Sequence, residues 1–274
     1  MTLAFSKMHG LGNDFVIIDL QHDAQIPCAA RWRALADRHT GIGFDQALVI
    51  LPPQRADAVA RYRIYNADGG EVEQCGNGVR CVAEWLRMQG RVPPGIGTTG
   101  DPLPLRLDSA GGRVEARFAA AGQVTVNMGV PQFAANGETT LVVDGVALQF
   151  MQVSMGNPHA VLRVDAVEAA PVGSLGARLE AHPFFPQRTN VGFLQIVDAQ
   201  HGRLRVFERG VGETRACGTG ACAAMASGRR LGLLEERAQL SLPGGSLELH
   251  WPGEGAPLWM TGPVALAFRG EVDF

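Results

Sequence analysis

The sequence predicts an α+β protein built from two halves that are related by a pseudo-two-fold duplication. Three observations lead there. Residues 63–90 (RIYNADGGEVEQCGNGVRCVAEWLRMQG) return as residues 205–232 (RVFERGVGETRACGTGACAAMASGRRLG), 142 positions later and without a gap. Arg63/Arg205, Gly70/Gly212, Glu71/Glu213, Cys75/Cys217, Gly76/Gly218, Gly78/Gly220, Arg87/Arg229 and Gly90/Gly232 are identical between the copies. Second, each half carries many short strand-like runs and one or two helical segments, a pattern of α+β proteins and not of a parallel βαβ sheet. Third, 274 residues exceed the usual size of one domain, so two are expected.

In chain order, GLGND (residues 10–14) is a turn that delivers Asn13 to a strand edge. FVIIDL (residues 15–20) is short, apolar and β-branched, a buried strand. Residues 29–38 (AARWRALADR) are helical, with Trp32, Leu35 and Ala36 on one face. The helix breaks at GIGFDQ (residues 41–46), and Gln46 stands at the edge of a strand over residues 47–51. Residues 61–65 alternate as a strand and residues 66–70 turn. Cys75-Gly-x-Gly then opens a helix with Val79, Val82, Ala83 and Leu86 inward, closed by Gly90. The second copy repeats this order: strand 203–207, turn 208–212, Cys217-Gly-x-Gly, helix, and a stop at Gly232. Between Gly220 and Gly228 that helix has almost no bulky side chains, so it has to pack tightly in the middle of its domain. Further strand-like runs occupy residues 105–107, 113–118, 124–128, 140–143, 147–153, 160–164, 192–197, 239–242, 246–250 and 263–269. Composition puts a domain boundary near residues 119–122. Two fainter echoes support duplication: Asn13 in GND matches Asn157 in GNP, 144 positions on, and GFDQ (residues 43–46) resembles GFLQ (residues 192–195).

Net charge is −3 and no basic run suits nucleic acid or an anionic membrane. The longest apolar stretches fall far short of a membrane span, and residues 1–10 lack the pattern of an export signal. A cytoplasmic protein with reduced thiols is expected. Five cysteines, an odd number, argue against a disulfide framework. Cys75 to Cys81 and Cys217 to Cys222 are too widely spaced for a zinc ligand pair, so no metal site is expected.

Two matched thiols at helix mouths suggest a specific chemistry. The partial positive charge of a helix N-terminus stabilises a thiolate and lowers its pKa. The following Gly-x-Gly lets backbone N–H groups approach an anion such as a carboxylate. If the halves face each other across a cleft, one thiolate removes a proton from a stereogenic carbon and the opposite thiol returns one to the other face. Configuration inverts, and N–H groups at both helix mouths stabilise the carbanion. Cys28, Cys81 and Cys222 are read as inert buried thiols. Paired redox thiols are the rival chemistry, but these more often form C-x-x-C within one segment.

At these residues the sequence resembles the diaminopimelate epimerases. KMHGLGNDF (residues 7–15), GIGFDQ (41–46), YNADGGEVEQCGNGVRC (65–81), GNPHAV (156–161), RTNVGF (188–193) and ERGVGETRACGTGACAA (208–224) all fit the family pattern in order. The resemblance implies two similar domains, residues 1–118 with 263–274 and residues 119–262, each a mixed β-sheet or barrel wrapped around a central helix. It implies interconversion of LL- and meso-2,6-diaminopimelate on the way to lysine and peptidoglycan, with no pyridoxal phosphate, no metal, a small amino-acid substrate as partner, and a homodimer. Carried over by position, Cys75 and Cys217 become the acid–base pair, and Gly76, Asn77, Gly218 and Thr219 hold the reacting carboxylate. Asn13, Gln46, Asn66, Asn157, Asn190, Glu208 and Arg209 line the rest, with Arg209 suited to grip the distal carboxylate bidentately. His159 and Glu208, which have Phe15 and Asn66 as counterparts, are expected to adjust the thiol pKa values, although His159 could equally be a packed core histidine. Other readings are a cofactor-free racemase of proline or hydroxyproline, a related isomerase using carboxylate chemistry, and a non-catalytic amino-acid binder.

Overall fold

The structure, a computed structural model, describes residues 2–73, 75–96, 103–119 and 122–273. It divides into one unit of Met1–Val126 with Thr261–Phe274 and a second of Asn127–Met260.

In the first unit, β1 (Thr2–Gly10) pairs antiparallel with β2 (Asn13–Asp19), and β2 runs parallel to β3 (Gln46–Leu51). Between β2 and β3 lies α1 (Ala29–Ala36). β4 (Ala60–Asn66) is antiparallel to β3 and to the short β5 (Glu71–Val72), after which comes α2 (Gly76–Met88). β6 (Leu105–Ser109) lies parallel to β4, and β7 (Gly112–Phe118) and β8 (Gln123–Asn127) follow antiparallel.

The second unit repeats that pairing. β9 (Gln132–Val143) pairs antiparallel with β10 (Val146–Ser154), and β10 with β11 (Pro158–Arg163). α3 (Val172–Glu180) connects β11 to its parallel neighbour β12 (Asn190–Asp198). β13 (His201–Glu208), β14 (Gly212–Thr214), α4 (Gly218–Arg230), β15 (Arg237–Leu242) and β16 (Gly245–His250) follow with the same sequence of antiparallel, antiparallel, parallel and antiparallel pairings. β17 (Trp259–Pro263) leads to β18 (Ala265–Asp273), which returns to pair antiparallel with β1.

Alternation along the strands explains why each sheet is covered on both faces. In the first unit Val16, Ile18, Ala47, Val49 and Leu51 pack with Trp32 and Phe44 on the α1 side, where Trp32 stacks on Tyr65 at 5.4 Å. The intervening Phe15 and Leu48 point the other way, onto α2 at Gly78. α2 is buried from Gly76 through Leu86, and α4 is almost as deeply enclosed. In the second unit Phe150, Leu162, Leu179, Val191 and Phe193 form the α3-side core.

The repeated residues are those this arrangement needs twice. Arg63 grips Glu71 bidentately (2.7 and 2.5 Å), and Arg205 grips Glu213 in the same way (2.6 and 2.9 Å), tying each long strand to the short one after it. Gly78 and Gly220 let the helices approach their sheets. A Cβ would lie 3.1 Å from Leu48 Cδ2 at the first and 3.0 Å from Val206 Cγ2 at the second. Gly90 and Gly232, with φ of 66° and 71°, end the two helices in the left-handed conformation.

Some elements differ from the sequence reading. β1 was not expected, because Lys7 interrupts its apolar pattern. The Lys7 ammonium is buried and satisfied instead, donating to Asp14 Oδ2 at 2.5 Å and to the Gly43 carbonyl. α3 was hidden by its two glycines, one of which, Gly176, gives room to Phe207. α1 ends two residues early, since Asp37 accepts from the His39 and Thr40 N–H groups and turns the chain. The first unit extends past residues 119–122, two of which lie outside the described residues. β8 pairs with β7 through Ala116–Val126, and Thr125 Oγ1 meets Thr261 Oγ1 at 2.8 Å where the chain returns.

Two outcomes follow. Gly232→Ala meets no neighbour within 4 Å and costs only the left-handed backbone, about 1–2 kcal/mol. Gly41→Ala would set a Cβ 2.3 Å from Ala34 O, so it costs more, roughly 3 kcal/mol; urea unfolding of both variants checks the order. Burial would raise the Asp14 carboxyl, but hydrogen bonds and charge from Arg38 and Lys7 outweigh it and hold it well below the usual carboxylate range. A depressed pKa stabilises the fold fully above the unfolded value of about 4 and progressively less as pH falls below it. Asp14→Asn, which also strands Lys7, is therefore expected to lose about 3 kcal/mol between pH 5 and 8, and the gap to the parent chain should narrow below pH ~4.

Candidate active site

In the first unit Cys75 is the N-cap of α2, with extended backbone (φ −150°, ψ 105°). Its Sγ lies 3.8 Å from Asn13 Oδ1, which also accepts from Asn77 Nδ2 at 3.2 Å. The direction of these amides is set at both ends. Asn77 Oδ1 accepts from Nη2 of the fully buried Arg80 at 2.9 Å, and Asn13 Nδ2 donates to Asp45 Oδ2 at 2.9 Å. The amides run head to tail from a guanidinium to a carboxylate, so Asn13 turns its carbonyl, an acceptor for S–H, toward the thiol. Gln46 Nε2 donates to Asn66 Oδ1 at 2.9 Å across β3 and β4, leaving Gln46 Oε1 buried and without a partner among the described residues. Gly76 and Asn77 open α2, where first-turn N–H groups have no acceptor within the helix.

In the second unit Cys217 caps α4. Its Sγ accepts from the Gly220 N–H at 3.4 Å and lies 3.6 Å from Thr219 Oγ1. A lowered pKa was expected here, and the structure reverses it. Burial, and then the negative charge of Glu208, push the thiol well up, outweighing the donors at Thr219 and Gly220. Glu208 itself accepts from Thr214 Oγ1. Asn157 Nδ2 donates to Thr219 Oγ1 at 3.4 Å, while its Oδ1 faces His159 Nε2 at 2.9 Å. Burial, with the charge of Arg209 adding to it, lowers His159 to about 3. The ring is therefore neutral and, facing a carbonyl oxygen, carries its proton on Nε2. Asn190 spends both ends of its amide on backbone, donating to Pro158 O at 2.9 Å and accepting the Arg209 N–H at 3.0 Å. Arg209 is exposed, and its Nη1 donates to Gln187 O at 3.1 Å.

Strand register explains which of the predicted residues meet. Phe15, Gln46 and Asn66 lie in one row across β2, β3 and β4. His159 opposes Asn190 in the second unit, and Val191–Phe207 pairing sets Glu208 beside Asn190. The counterpart of Gln46 is thus Asn190, 144 positions on, and not Gln195, so the GFDQ/GFLQ echo is coincidental. Thr219 and Gly218 open α4 as Asn77 and Gly76 open α2. Sequence reasoning missed Arg80, which a helical reading places three residues from Asn77, and Asp45, one residue from Gln46. Among the described residues no group of three or more His, Cys, Asp or Glu could hold a metal ion, and no helix is long and apolar enough to cross a membrane.

A diaminopimelate epimerase family model matches residues 5–134 and 151–267. The diaminopimelate epimerase of Ectopseudomonas mendocina (strain ymp) is 50% identical over 285 residues, covering 99% of each chain. That of Thioalkalivibrio sulfidiphilus (strain HL-EbGR7) is also 50% identical, covering 100% of each. Among solved structures, a hydroxyproline epimerase from Agrobacterium vitis with bound trans-4-hydroxy-L-proline superposes with a TM-score of 0.72 at 17% identity, covering 99% of this chain and 92% of that one. A Bacillus anthracis phenazine biosynthesis protein of the PhzF family gives 0.74 at 15% identity with both chains fully covered. These two share the fold of the present chain, and the family model and full-length relatives decide its kinship: the chain belongs to the diaminopimelate epimerase family.

Proposed function

We propose that the chain interconverts LL- and meso-2,6-diaminopimelate without a cofactor, Cys75 and Cys217 serving as the two acid–base groups. The observation that carries this reading is a cysteine at the N-cap of the central helix in both units, within a chain half identical along its length to proteins named diaminopimelate epimerase. Inversion at one carbon needs one group to remove a proton from one face and another to return a proton to the opposite face. Each unit supplies one such group. N–H groups at Gly76, Asn77, Gly218 and Thr219 receive the carboxylate next to the reacting carbon and stabilise the charge that spreads onto it.

The remaining roles follow from chemistry. Gln46 Oε1, buried and unpartnered among the described residues, is an acceptor suited to a substrate ammonium group. Arg209 grips the distal carboxylate. Glu208 and His159 act on the second half, Glu208 by its charge beside Cys217 and His159 by orienting Asn157. Asn13, Asn66, Asn157 and Asn190 complete the polar surround. The same reading carries a cytoplasmic homodimer. A racemase of proline or hydroxyproline shares the fold but takes a substrate with one carboxylate, which leaves Arg209 without a task.

In D2O, turnover is expected to place deuterium at the α-carbon of diaminopimelate; a protein that only binds it leaves that carbon unlabelled. Cys75→Ala and Cys217→Ala should each lower kcat by about 10²–10⁴-fold, and near-parental rates in both variants would rule out the two-thiol mechanism.

A further inference from the structure

Glu180, the last residue of α3, is a buried carboxylate with a side chain only 4% exposed, and the chemistry above makes no use of it. A buried charge persists only when it is paired and hydrogen-bonded. Here both oxygens are committed. Oε2 lies 2.8 Å from Arg188 Nη2, and Oε1 accepts the backbone N–H of Gly210 at 2.9 Å. Gly210 directly follows Arg209. The Arg209 N–H is held by Asn190 Oδ1 and its guanidinium by Gln187 O. The peptides on either side of Arg209, and its head group, are thus tied to residues 180–190.

The duplicated turn in the first unit is held differently. Asp68 stands there at the position of Gly210, and its own Oδ1 closes the turn by accepting the Gly70 N–H at 2.7 Å. In the second unit the turn residues at that place are Gly210 and Gly212, both at positive φ (75° and 108°), and neither has a side chain with which to close it. A carboxylate from another element holds this turn instead, and at a different donor: Glu180 takes the N–H of Gly210, the position of Asp68, and not that of Gly212, the position of Gly70. We propose that Glu180 is a positioning residue for Arg209, holding the turn so that the guanidinium meets the substrate carboxylate remote from the reacting carbon; this rests on the role given to Arg209 above.

Such a residue acts on binding and not on proton transfer. A contact made equally in the ground and transition states changes KM and leaves kcat alone. Glu180→Asp keeps the charge but withdraws the acceptor by one methylene, so KM for diaminopimelate should rise at least about fivefold while kcat stays within about twofold. Glu180→Gln keeps the reach to Gly210 and should stay within about twofold of the parent in both constants. Both substitutions retain a polar group at the buried position. Arg209→Met should raise KM, and adding Glu180→Asp to it should raise KM no further, because the two act through one contact. An unchanged KM in Glu180→Asp, a loss shared equally by kcat, or equal rises in the Asp and Gln variants overturns the assignment. If Arg209→Met itself leaves KM unchanged, the clamp role of Arg209 fails and this assignment falls with it. If Arg209→Met raises KM and Glu180→Asp does not, only the role of Glu180 fails.

Discussion

The structure depends on one recurring constraint: a cysteine has to cap a helix that is buried on nearly every side. The first-turn N–H groups of such a helix lack acceptors within it, and cysteine is not among the side chains that cap well. A capping serine or aspartate would spend those donors internally. Cysteine leaves most of the positive helix end to whatever anion arrives there, and puts a titratable sulfur beside it. The Gly-x-Gly after each cysteine belongs to the same constraint, since Gly78 and Gly220 are what let the helices sit so near Phe15, Leu48 and Val206.

Around this shared frame the two units place different side chains at the helix mouth. Beside Cys75 stands Asn13, in a run of amides aligned between the buried Arg80 and the carboxylate of Asp45. Beside Cys217 stand a carboxylate, Glu208, and a chain of neutral groups running from Thr219 through Asn157 to His159. Desolvation and a neighbouring negative charge outweigh the helix terminus there, which is why Cys217 is pushed up and not down.

Duplication and divergence therefore divide the work by residue type. Positions that serve the backbone are kept: the Arg63–Glu71 and Arg205–Glu213 pairs, the closing glycines Gly90 and Gly232, and the close-approach glycines. Positions facing the helix mouth have changed: Phe15 to His159, Gln46 to Asn190, Asn66 to Glu208, Asn77 to Thr219, Arg80 to Cys222. Register makes these comparisons meaningful, because a slip of one residue would turn each row to the opposite face of its sheet.

By itself the sequence determined the duplication, the two capped helices, most of the strands and the identity of the candidate residues. These rest on local spacing: alternation, glycine stops, and a gapless repeat. It was silent on β1 and α3, whose polar or glycine interruptions are explained only by partners far along the chain, Asp14 and Gly43 for Lys7 and Phe207 for Gly176. It also misjudged the Cys217 thiol, since a helix terminus can be read from sequence but burial and a carboxylate brought in from β13 cannot. Arg80 stands one helical turn from Asn77 and was open to a helical reading, whereas Asp45 and Glu180 became visible only in three dimensions. Those two hydrogen-bond to a side chain or peptide that folding carries to them, and pairwise geometry of that kind leaves no periodic trace in a linear chain.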